Sequence, residues 1–368
     1  MSWGGTVRPS RYFPGVDVAS FGDAMGARHA APFANQQPLG KTRTMLTLED
    51  KWVWDSWIAD DGKRYHLFFL EAPRSLGDAT QRHTAARIAH ASSTDLLTWD
   101  YHGEVFAPSD MGFDDLAIWT GSVVHDGTQW RLFYSALSRR GHHTYDQRIG
   151  MALSDDLGRW RRGSNQPVAA VDPRWYKTLA SHPGPTTGPD PEKSSETWRD
   201  PFVLRDRDGN GWHLLITARA LDGAPQDDGV VGHAWSADLD EWEVRPPLSR
   251  PGAGFGQLEV IRSVLVDGRP VLTFSCHEAE VTPERRATAE GCSTWSVPAD
   301  SLTGPFDVSR ARPFTADPLL YAAPVVTLRD GTSAILGFHL DTSDEGPGLE
   351  ISDPIPVTLD PEGYLVAR

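Results

Sequence analysis

The sequence predicts an all-β protein, a five-bladed β-propeller, and two features point to this fold class. An Asp-Gly turn recurs five times between apolar runs, and a second turn motif follows most of these. The turns are Asp61-Gly62, Asp126-Gly127, Asp208-Gly209, Asp267-Gly268 and Asp330-Gly331. Asp-Gly between apolar runs is typical of a tight β-hairpin. Spacings of 59 to 82 residues leave room for about four strands in each repeat.

The second motif is a polar turn followed by an outer strand with an aromatic residue. The segments SSTDLLTW, SDDLGRW, SADLDEW and the looser ADSLTGPF place at this position Trp99, Trp160, Trp242 and Phe306. A β-helix or a sandwich is the alternative, but its repeats would be shorter or less regular. We therefore expect a propeller over residues 46–368 and an N-terminal segment, 1–45, that packs on it. Residues 163–197, rich in Pro, Gly, Ser and Thr, are predicted to form a long loop.

Charge and composition narrow the class of partner. The formal net charge of −15 over 368 residues argues against nucleic acid and against an anionic membrane surface. A neutral small molecule or oligosaccharide fits this balance better than a polyanion. The 14 tryptophans supply flat platforms for sugar rings, although such residues also fill cores.

Cysteine usage and the N-terminus give weaker indications. Cys276 and Cys292 are the only cysteines, and two cannot form a disulfide framework or a zinc site of CxxC type. The N-terminal residues lack the apolar run of a signal peptide, so we expect a cytoplasmic protein, with leaderless export left open. We expect no cofactor.

The first strand of each repeat should line the propeller axis, where equivalent positions converge. These strands begin with Trp54-Asp55, Trp119-Thr120, Arg199-Asp200, Leu258-Glu259 and Tyr321-Ala322. We expect Asp55, Asp200 and Glu259 to meet in the central funnel. Three carboxylates placed together repel one another, so such a cluster is costly unless it has a function. A calcium site is the competing interpretation, but no DxDxDG spacing supports it, and we predict no metal.

Local chemistry suggests a role for each acid. A retaining glycosidase needs one carboxylate as nucleophile and one carboxyl as acid/base, about 5 Å apart. Asp55 is the predicted nucleophile, and Arg199 should keep the neighbouring Asp200 ionised as a fixed anion. Glu259 is the predicted acid/base, because apolar neighbours would raise its pKa. These neighbours are Leu258, Val260 and Ile261.

At this point the motifs resemble a known family. VWDSW (53–57), WTGS (119–122), WRDP (198–201), LEVIR (258–262) and ADSLTGPF (299–306) are similar, in the same order, to motifs of glycoside hydrolase family 68, the levansucrases and bacterial β-fructofuranosidases. Families 32 and 43 belong to the same five-bladed clan. The resemblance implies that Asp55 is the nucleophile, Asp200 the transition-state stabiliser and Glu259 the acid/base.

The resemblance also implies a sugar pocket and shows some departures. Trp54, Trp119 and Arg199 match residues that line the fructosyl site. Gln257 stands where family members often carry an acid, and Thr120 stands where serine is usual. The residue that matches an acceptor-side Arg or His is His277.

The expected function is therefore fructosyl cleavage of sucrose or a related β-fructofuranoside, with transfer to water or a sugar. The alternatives are a clan relative that acts on another furanoside, such as an arabinofuranoside, and a propeller that binds carbohydrate without cleaving it. Arg82 and His83 in QRHTAARIAHAS could lie in a loop on the substrate side, or in a helix or strand edge. The adjacent histidines of GHHT (141–144) are expected to be solvated loop residues.

Overall fold

The computed structural model describes residues 44–139, 146–181, 196–224, 226–287, 293–340 and 350–368. Almost all of its regular structure is β-strand. The strands are β1 (Thr44–Leu46), β2 (Lys51–Asp60), β3 (Tyr65–Pro73), β4 (Arg87–Ser93), β5 (Asp100–Phe106), β6 (Ala117–His125), β7 (Trp130–Ser138), β8 (Asp146–Ser154), β9 (Arg161–Arg162), β10 (Trp198–Arg205), β11 (Trp212–Arg219), β12 (Gly229–Ser236), β13 (Glu243–Arg245), β14 (Glu259–Val266), β15 (Arg269–Cys276), β16 (Ser293–Pro298), β17 (Arg312–Pro313), β18 (Leu320–Tyr321), β19 (Val325–Thr327), β20 (Ser333–Ile335), β21 (Phe338–His339), β22 (Ile351–Ser352), β23 (Ile355–Leu359) and β24 (Leu365–Ala367). The α-helices are α1 (Arg82–Ala85) and α2 (Pro283–Arg286), and short 3₁₀ turns lie at Arg74–Leu76, Ala79–Gln81, Glu278–Glu280 and Val308–Arg310.

The strands form six four-stranded antiparallel sheets within the described residues. Four of them are simple meanders, β2-β3-β4-β5, β6-β7-β8-β9, β10-β11-β12-β13 and β14-β15-β16-β17. The other two, β18-β21-β22-β1 and β19-β20-β23-β24, share three chain segments, because β18 leads into β19, β20 into β21 and β22 into β23. They are two halves of one unit, so the sheets make five units by chain segment. The all-β class and the four-stranded unit are confirmed.

The fifth unit is completed from both ends of the described chain. Strand β1 pairs with β22 in one half, and β24 pairs with β23 in the other. Residues 44 and 45 were expected to lie in the N-terminal segment, whereas they belong to this sheet. Residues 1–43 lie outside the described part of the chain, so the packing of that segment stays a prediction, and the GHHT stretch and Cys292 also lie outside it.

The five Asp-Gly pairs all form the predicted hairpin turns. Their glycines have φ of 83°, 101°, 77°, 76° and 83° in chain order, a left-handed conformation that favours glycine. In the first turn the carboxylate of Asp61 accepts hydrogen bonds from the backbone N–H groups of Lys63 and Arg64, at 2.7 and 2.6 Å. The Asp side chain thus closes the turn that the Gly backbone permits.

Neighbouring units pack through their first strands. Strand β2 contacts β6, β6 contacts β10, β10 contacts β14 and β14 contacts β19, while β21 and β22 of the fifth unit contact β2. The contacts between sheets are filled by large side chains such as buried Phe68, whose ring lies edge-on to Trp160 of the second unit with ring centroids 5.8 Å apart. Burying such a side chain stabilises the fold by roughly 1.5–3 kcal/mol. The first strands of the first four units thus contact one another in order, and the fifth unit contacts both the fourth and the first.

In the described parts of the chain, helices are too short and too polar to span a lipid bilayer.

Candidate active site

The first strands of four units are interrupted at the same place. Their pairing with the second strand shifts register between Trp54 and Ser56, between Trp119 and Gly121, between Arg199 and Phe202, and between Glu259 and Arg262. The fifth unit breaks after Tyr321, between β18 and β19. Such β-bulges re-aim a side chain and are common beside active sites.

Four residues at these interruptions have left-handed backbone conformations. The φ angles are 24° for Asp55, 55° for Asp200, 51° for Val260 and 47° for Ala322. This conformation costs a residue with a side chain of order 1–3 kcal/mol and persists only where the surroundings enforce it. Four of the five units therefore have strained backbone at the interruption of the first strand, and two of the strained residues are acids.

The register of Glu259 corrects one prediction. Glu259 pairs with Ser275 directly before the bulge, as Trp54, Trp119, Arg199 and Tyr321 do with their partners in the other units. Its equivalents are therefore these four residues, and the bulge position of unit four is Val260. The prediction that Glu259 matches Asp55 and Asp200 was wrong by one residue, because the spacing between the bulge and the Asp-Gly turn differs from unit to unit, so a count back from the turn does not give the register.

Asp55 is partly buried and accepts a hydrogen bond from the hydroxyl of Thr120 at its Oδ2 atom. Burial, followed by the charge of Asp200, raises the pKa of Asp55 from 3.8 to about 7. The Thr120 hydrogen bond and the charge of Arg82 act in the opposite direction, while the charge of Glu259 adds to the increase. The three predicted acids therefore interact electrostatically in one site.

Asp200 is buried, and its contacts fall on one oxygen. Its Oδ2 accepts from the Thr217 hydroxyl at 3.0 Å and from the Val260 N–H at 3.2 Å, and lies 3.5 Å from Nε of Arg199. The Asp200 N–H donates to Oγ of Ser135 at 2.7 Å. Burial raises the pKa of Asp200, and the charge of Arg199 offsets only part of that increase. The charge of Arg199 favours the ionised form, and the expectation that Asp200 is ionised stays a prediction.

Glu259 has polar partners on both carboxylate oxygens. Arg199 Nη2 donates to Oε1 at 2.6 Å, and the hydroxyl of Tyr321 donates to Oε2. The neighbours that were expected to surround it with apolar groups are themselves buried in the core; they are Leu258, Val260 and Ile261. The environment of Glu259 is thus set by a guanidinium and a phenol rather than by apolar groups alone.

Two tryptophans and a short helix form a wall beside the acids. Trp54 and Trp119 are buried, and the ring of His83 in α1 lies edge-on to both, with centroids 6.3 and 5.9 Å apart. Trp119 Nε1 donates to the His83 carbonyl at 2.6 Å, and the guanidinium of Arg82 lies 5.6 Å from the Trp54 ring centre. The segment that the sequence left open therefore lies at the site.

Two predicted substrate-side residues differ in placement. Gln257 is buried, and its Oε1 accepts from Nη2 of Arg199 beside Glu259. His277 follows β15, and its Nδ1 accepts from the N–H of Ala279, which caps the 3₁₀ turn there. Gln257 joins the cluster, whereas the contacts of His277 are within its own loop.

Arg262 was missed as a site residue although it ends the LEVIR motif. It is buried, and its guanidinium donates to the carbonyls of Ile261 at 2.9 Å and Gly121 at 3.2 Å. Burial lowers the pKa of Arg262 to about 10, and the carboxylates of Asp200 and Asp55 act against this decrease. Arg262 is therefore a buried cation beside both aspartates. Nothing in a one-sequence pattern marks an arginine as buried.

Tyr321 was also without a predicted role. The sequence shows it at the start of the fifth repeat, at the position that Glu259 occupies in the fourth. That repeat position was the signal that could have identified it.

Within the described ranges, no group of three or more His, Cys, Asp or Glu side chains is placed to hold a metal ion.

The site brings together three carboxylic acids from the first, third and fourth units. Two of them have strained backbone, and the third accepts hydrogen bonds from an arginine and a tyrosine. Such a set is typical of a carboxylate-dependent glycoside-cleaving enzyme. The comparison with known sequences agrees. The chain belongs to glycosyl hydrolase family 32, because residues 57–291 match the profile described as Glycosyl hydrolases family 32 N-terminal domain. This match includes Asp200 and Glu259 and begins two residues after Asp55. The matched family is 32, which the resemblance placed in the same clan, and membership in family 68 is not confirmed.

One curated relative and several solved structures are similar to the chain. An invertase from Wickerhamomyces anomalus is 26% identical over 190 residues, which are 52% of this chain and 30% of that protein. The aligned region thus spans less than a third of that relative.

The structural neighbours show the fold. An inulosucrase from Halalkalicoccus jeotgali bound to kestose aligns with a TM-score of 0.68 at 22% identity, covering 88% of this chain and 89% of that one. A family 32 β-fructofuranosidase from Bombyx mori gives 0.65 at 16% identity, with 89% and 65% covered. Bacillus subtilis levansucrase gives 0.62 at 15% identity, with 88% and 89% covered.

Proposed function

We propose that this protein is a retaining glycosidase or fructosyltransferase that cleaves the β-fructofuranosyl bond of sucrose or a related fructoside. The observation that carries the proposal is the cluster of Asp55, Asp200 and Glu259, with Arg199 and Tyr321 bridged through Glu259. The names of the similar proteins support the fructoside, since they are an invertase, an inulosucrase with kestose and β-fructofuranosidases.

The five units are, in this proposal, the blades of a propeller, and the acids lie in its central funnel. The order of contacts, in which each unit touches the next and the fifth touches the first, supports that arrangement. The bulges in four of these strands lie at one level. A substrate that enters the funnel would meet all three acids and the wall of Trp54 and Trp119.

Asp55 is the proposed nucleophile. Its Oδ2 is engaged by Thr120, so Oδ1 is the oxygen that would attack the anomeric carbon. The attack forms an ester between the sugar and Asp55 and breaks the bond to the leaving oxygen. The attacking group must be ionised, so its pKa of about 7 makes the ionised fraction rise with pH through neutrality.

Glu259 is the proposed acid/base. It would give its proton to the leaving oxygen in the first step and would then be a carboxylate. The hydrogen bonds from Arg199 and Tyr321 stabilise that carboxylate. In the second step a water molecule or a sugar hydroxyl attacks the ester while Glu259 takes its proton, which restores both acids.

Asp200 is the proposed stabiliser of the transition state. Its contacts with Thr217, Val260 and Arg199 all reach Oδ2, which leaves Oδ1 for the hydroxyl groups of the fructosyl ring. Hydrogen bonds to a carboxylate strengthen as the ring develops positive charge. The pocket residues proposed around the ring are Trp54, Trp119, Thr120, Arg199, Gln257 and His277.

The balance between water and sugar as acceptor is open in this proposal. Both the family 32 membership and the family 68-like motifs support the part of the site that would bind the fructosyl unit, where the three acids lie. The acceptor half includes Gln257 and His277, which depart from or vary within the family 68 pattern.

The test is to measure free glucose and free fructose released from sucrose by the wild type and by Asp55→Asn. We expect glucose from the wild type only, and a deficit of fructose would measure transfer. A folded wild type that releases no glucose would refute sucrose as donor. Assays on fructans and arabinofuranosides would then decide between another furanoside and carbohydrate binding without cleavage.

A further inference from the structure

A cavity lies between two tryptophans on the outer edge of the third unit. It measures about 280 Å³ and is lined by Trp235, Ala237, Asp238, Glu241, Trp242 and Glu243. It lies at the edge of the sheet where β12 ends and β13 begins, whereas Arg199 and Asp200 lie at the start of β10. Strand β10 separates the two sites by about 20 Å, at about 3.3 Å for each residue. The cavity is therefore distinct from the candidate active site.

The turn that forms this cavity repeats in three units, but two of the residues that line the cavity, Trp235 and Glu241, are particular to the third. The turns ending in Trp99, Trp160 and Trp242 share the same hydrogen bond, in which the indole N–H donates to a leucine carbonyl three residues earlier. At the position of Trp235 the first two units carry Ser92 and Leu153. A second tryptophan is thus not required by the turn.

The carboxylate of Glu241 is also particular to this unit. The residues at its position are Thr98 in the first unit and Arg159 in the second. The third unit has therefore added both an aromatic ring and an acid to a turn that folds without them.

The cavity walls are held in place by the surrounding structure. Nε1 of Trp235 donates to the carbonyl of Asn210 at 2.6 Å, and its ring lies so close to Gly211 that a Cβ there would be 3.0 Å from Nε1. Trp242 packs edge-on against Phe133 of the second unit, with centroids 5.3 Å apart. Preformed aromatic walls lower the entropic cost of binding a ligand.

The turn itself is held by two backbone hydrogen bonds and one ion pair. Asp238 accepts from the N–H groups of Asp240 and Glu241 at 3.0 and 3.1 Å. Asp240 pairs with Arg131 of the second unit at 2.6 Å. The site is thus built before any ligand arrives.

The chemistry of the lining favours a neutral, hydroxylated ring. Indole rings supply an apolar face with a polar edge, and Glu241 and Glu243 are exposed acceptors for hydroxyl groups. Their charge opposes an anionic ligand. The guanidinium of Arg245 already lies 4.4 Å from the centre of the Trp235 ring and pairs with Glu243 at 2.8 Å. The positive charge of this guanidinium beside the ring repels a cationic ligand, so a cationic ligand is also opposed.

We propose that the cleft between Trp235 and Trp242 is an auxiliary carbohydrate-binding site that takes one or two neutral sugar units of a longer chain. Its volume is below the range of about 300–1,000 Å³ usual for pockets that enclose a whole drug-sized ligand. The site would attach the protein to a polysaccharide without taking part in cleavage. The choice of a sugar as ligand, though not the existence of the site, rests on the proposed function.

The test uses native electrophoresis in gels that contain inulin or levan, with all variants built on Asp55→Asn so that the polymer is not cut. Trp235→Ser introduces the residue of the first unit at this position, and Trp175→Ser removes an exposed tryptophan elsewhere as a matched control. We expect polysaccharide to slow the parent and the Trp175→Ser control, and to slow Trp235→Ser at least fivefold less. Glu241→Gln, which leaves both rings in place, should weaken retardation in the same direction.

Equal retardation of Trp235→Ser and the control would overturn the proposal, as would no retardation of the parent by either polymer. Quenching of tryptophan fluorescence by tetramethylammonium but not by fructo-oligosaccharides would assign the cleft to cations and would also overturn it. Sucrose cleavage, measured with Asp55 restored, should be unchanged by Trp235→Ser. If the wild type cleaves no fructoside, the proposed function fails, while the retardation result still decides the site.

Discussion

The pKa of Asp55 makes a prediction about stability that can be measured without a substrate. Replacing Asp55 by Asn removes an ionisable group but keeps an oxygen that can accept the Thr120 hydrogen bond. Asn also tolerates the left-handed backbone at this position. The variant should therefore fold as the wild type does and differ from it mainly in the cost of ionising a buried carboxyl.

The magnitude follows from the two pKa values. Asp55 has a pKa of about 7 in the folded protein against 3.8 ordinarily, and each pH unit of difference corresponds to about 1.4 kcal/mol. The wild type should lose up to about 4 kcal/mol relative to Asp55→Asn at high pH. This is an upper bound, because Asp55 keeps some solvent access and solvent screens its charge.

The direction is set by which state binds the proton. Between about pH 4 and pH 7 the unfolded chain has released the Asp55 proton while the folded protein retains it, so raising the pH favours unfolding. Below pH 4 both states are protonated and the difference disappears. We thus expect Asp55→Asn to gain stability relative to the wild type as the pH rises from 4 to 7, and to hold that gain above 7.

The assay is thermal unfolding of both proteins between pH 4.5 and pH 8. Asp156→Asn is a suitable control, because the backbone N–H groups of Arg159 and Gly158 hold the pKa of Asp156 below its usual range. The stability that this acid contributes is lost only below about pH 4, so its difference from wild type should be constant across the assay. A constant difference for Asp55→Asn as well would refute the reasoning that burial and Asp200 govern this carboxyl.

Three further perturbations test the site and its surroundings. Tyr321→Phe removes a hydrogen bond to Glu259, worth roughly 1.5–3 kcal/mol for a charged acceptor, so kcat should fall about ten- to a hundredfold with a smaller change in KM. Arg262→Met removes a buried cation beside Asp55 and Asp200, so the acidic limb of the pH profile of kcat/KM should move up by about one pH unit, whereas Arg262→Lys should move it less. Burial lowers the pKa of His90 to about 3, so the folded protein should lose stability as the pH falls below about 6.5; His90→Gln should reduce that loss between pH 7 and pH 5 in thermal unfolding.

Each of these has an outcome that would contradict it. An unchanged kcat for Tyr321→Phe would show that the phenol does not support Glu259 in the reaction. A pH profile of Arg262→Met that coincides with the wild type would remove Arg262 from the electrostatics of the site. Equal acid sensitivity of His90→Gln and wild type would place the responsible histidine elsewhere.

The sequence predicts what local chemistry controls. Each Asp-Gly pair carries its own requirement for a left-handed glycine, so the turns could be located without the structure. The meeting of Asp55, Asp200 and Glu259 could be expected because the turns revealed a repeat and the repeat relates equivalent strands. Trp54 and Trp119 could be placed on the wall for the same reason.

What the sequence does not show depends on register and on distant partners. The number of residues between the bulge and the Asp-Gly turn differs among the units, so Glu259 lies one position away from where a count from the turn puts it. The contribution of β1 to the fifth unit joins residues about 300 positions apart, which no local pattern indicates. The buried state of Arg262 likewise depends on packing from neighbouring units.

The central claim is that Asp55 forms a covalent bond to the sugar, and a mass measurement tests it most directly. Glu259→Gln should be incubated with a β-fructofuranoside whose leaving group needs no proton, such as p-nitrophenol, and quenched in acid. Loss of the acid/base slows the attack of water on the ester more than its formation. The account predicts a peptide containing Asp55 that carries the mass of one fructosyl unit. Release of nitrophenol with no labelled peptide, or with the label on Asp200, would contradict it.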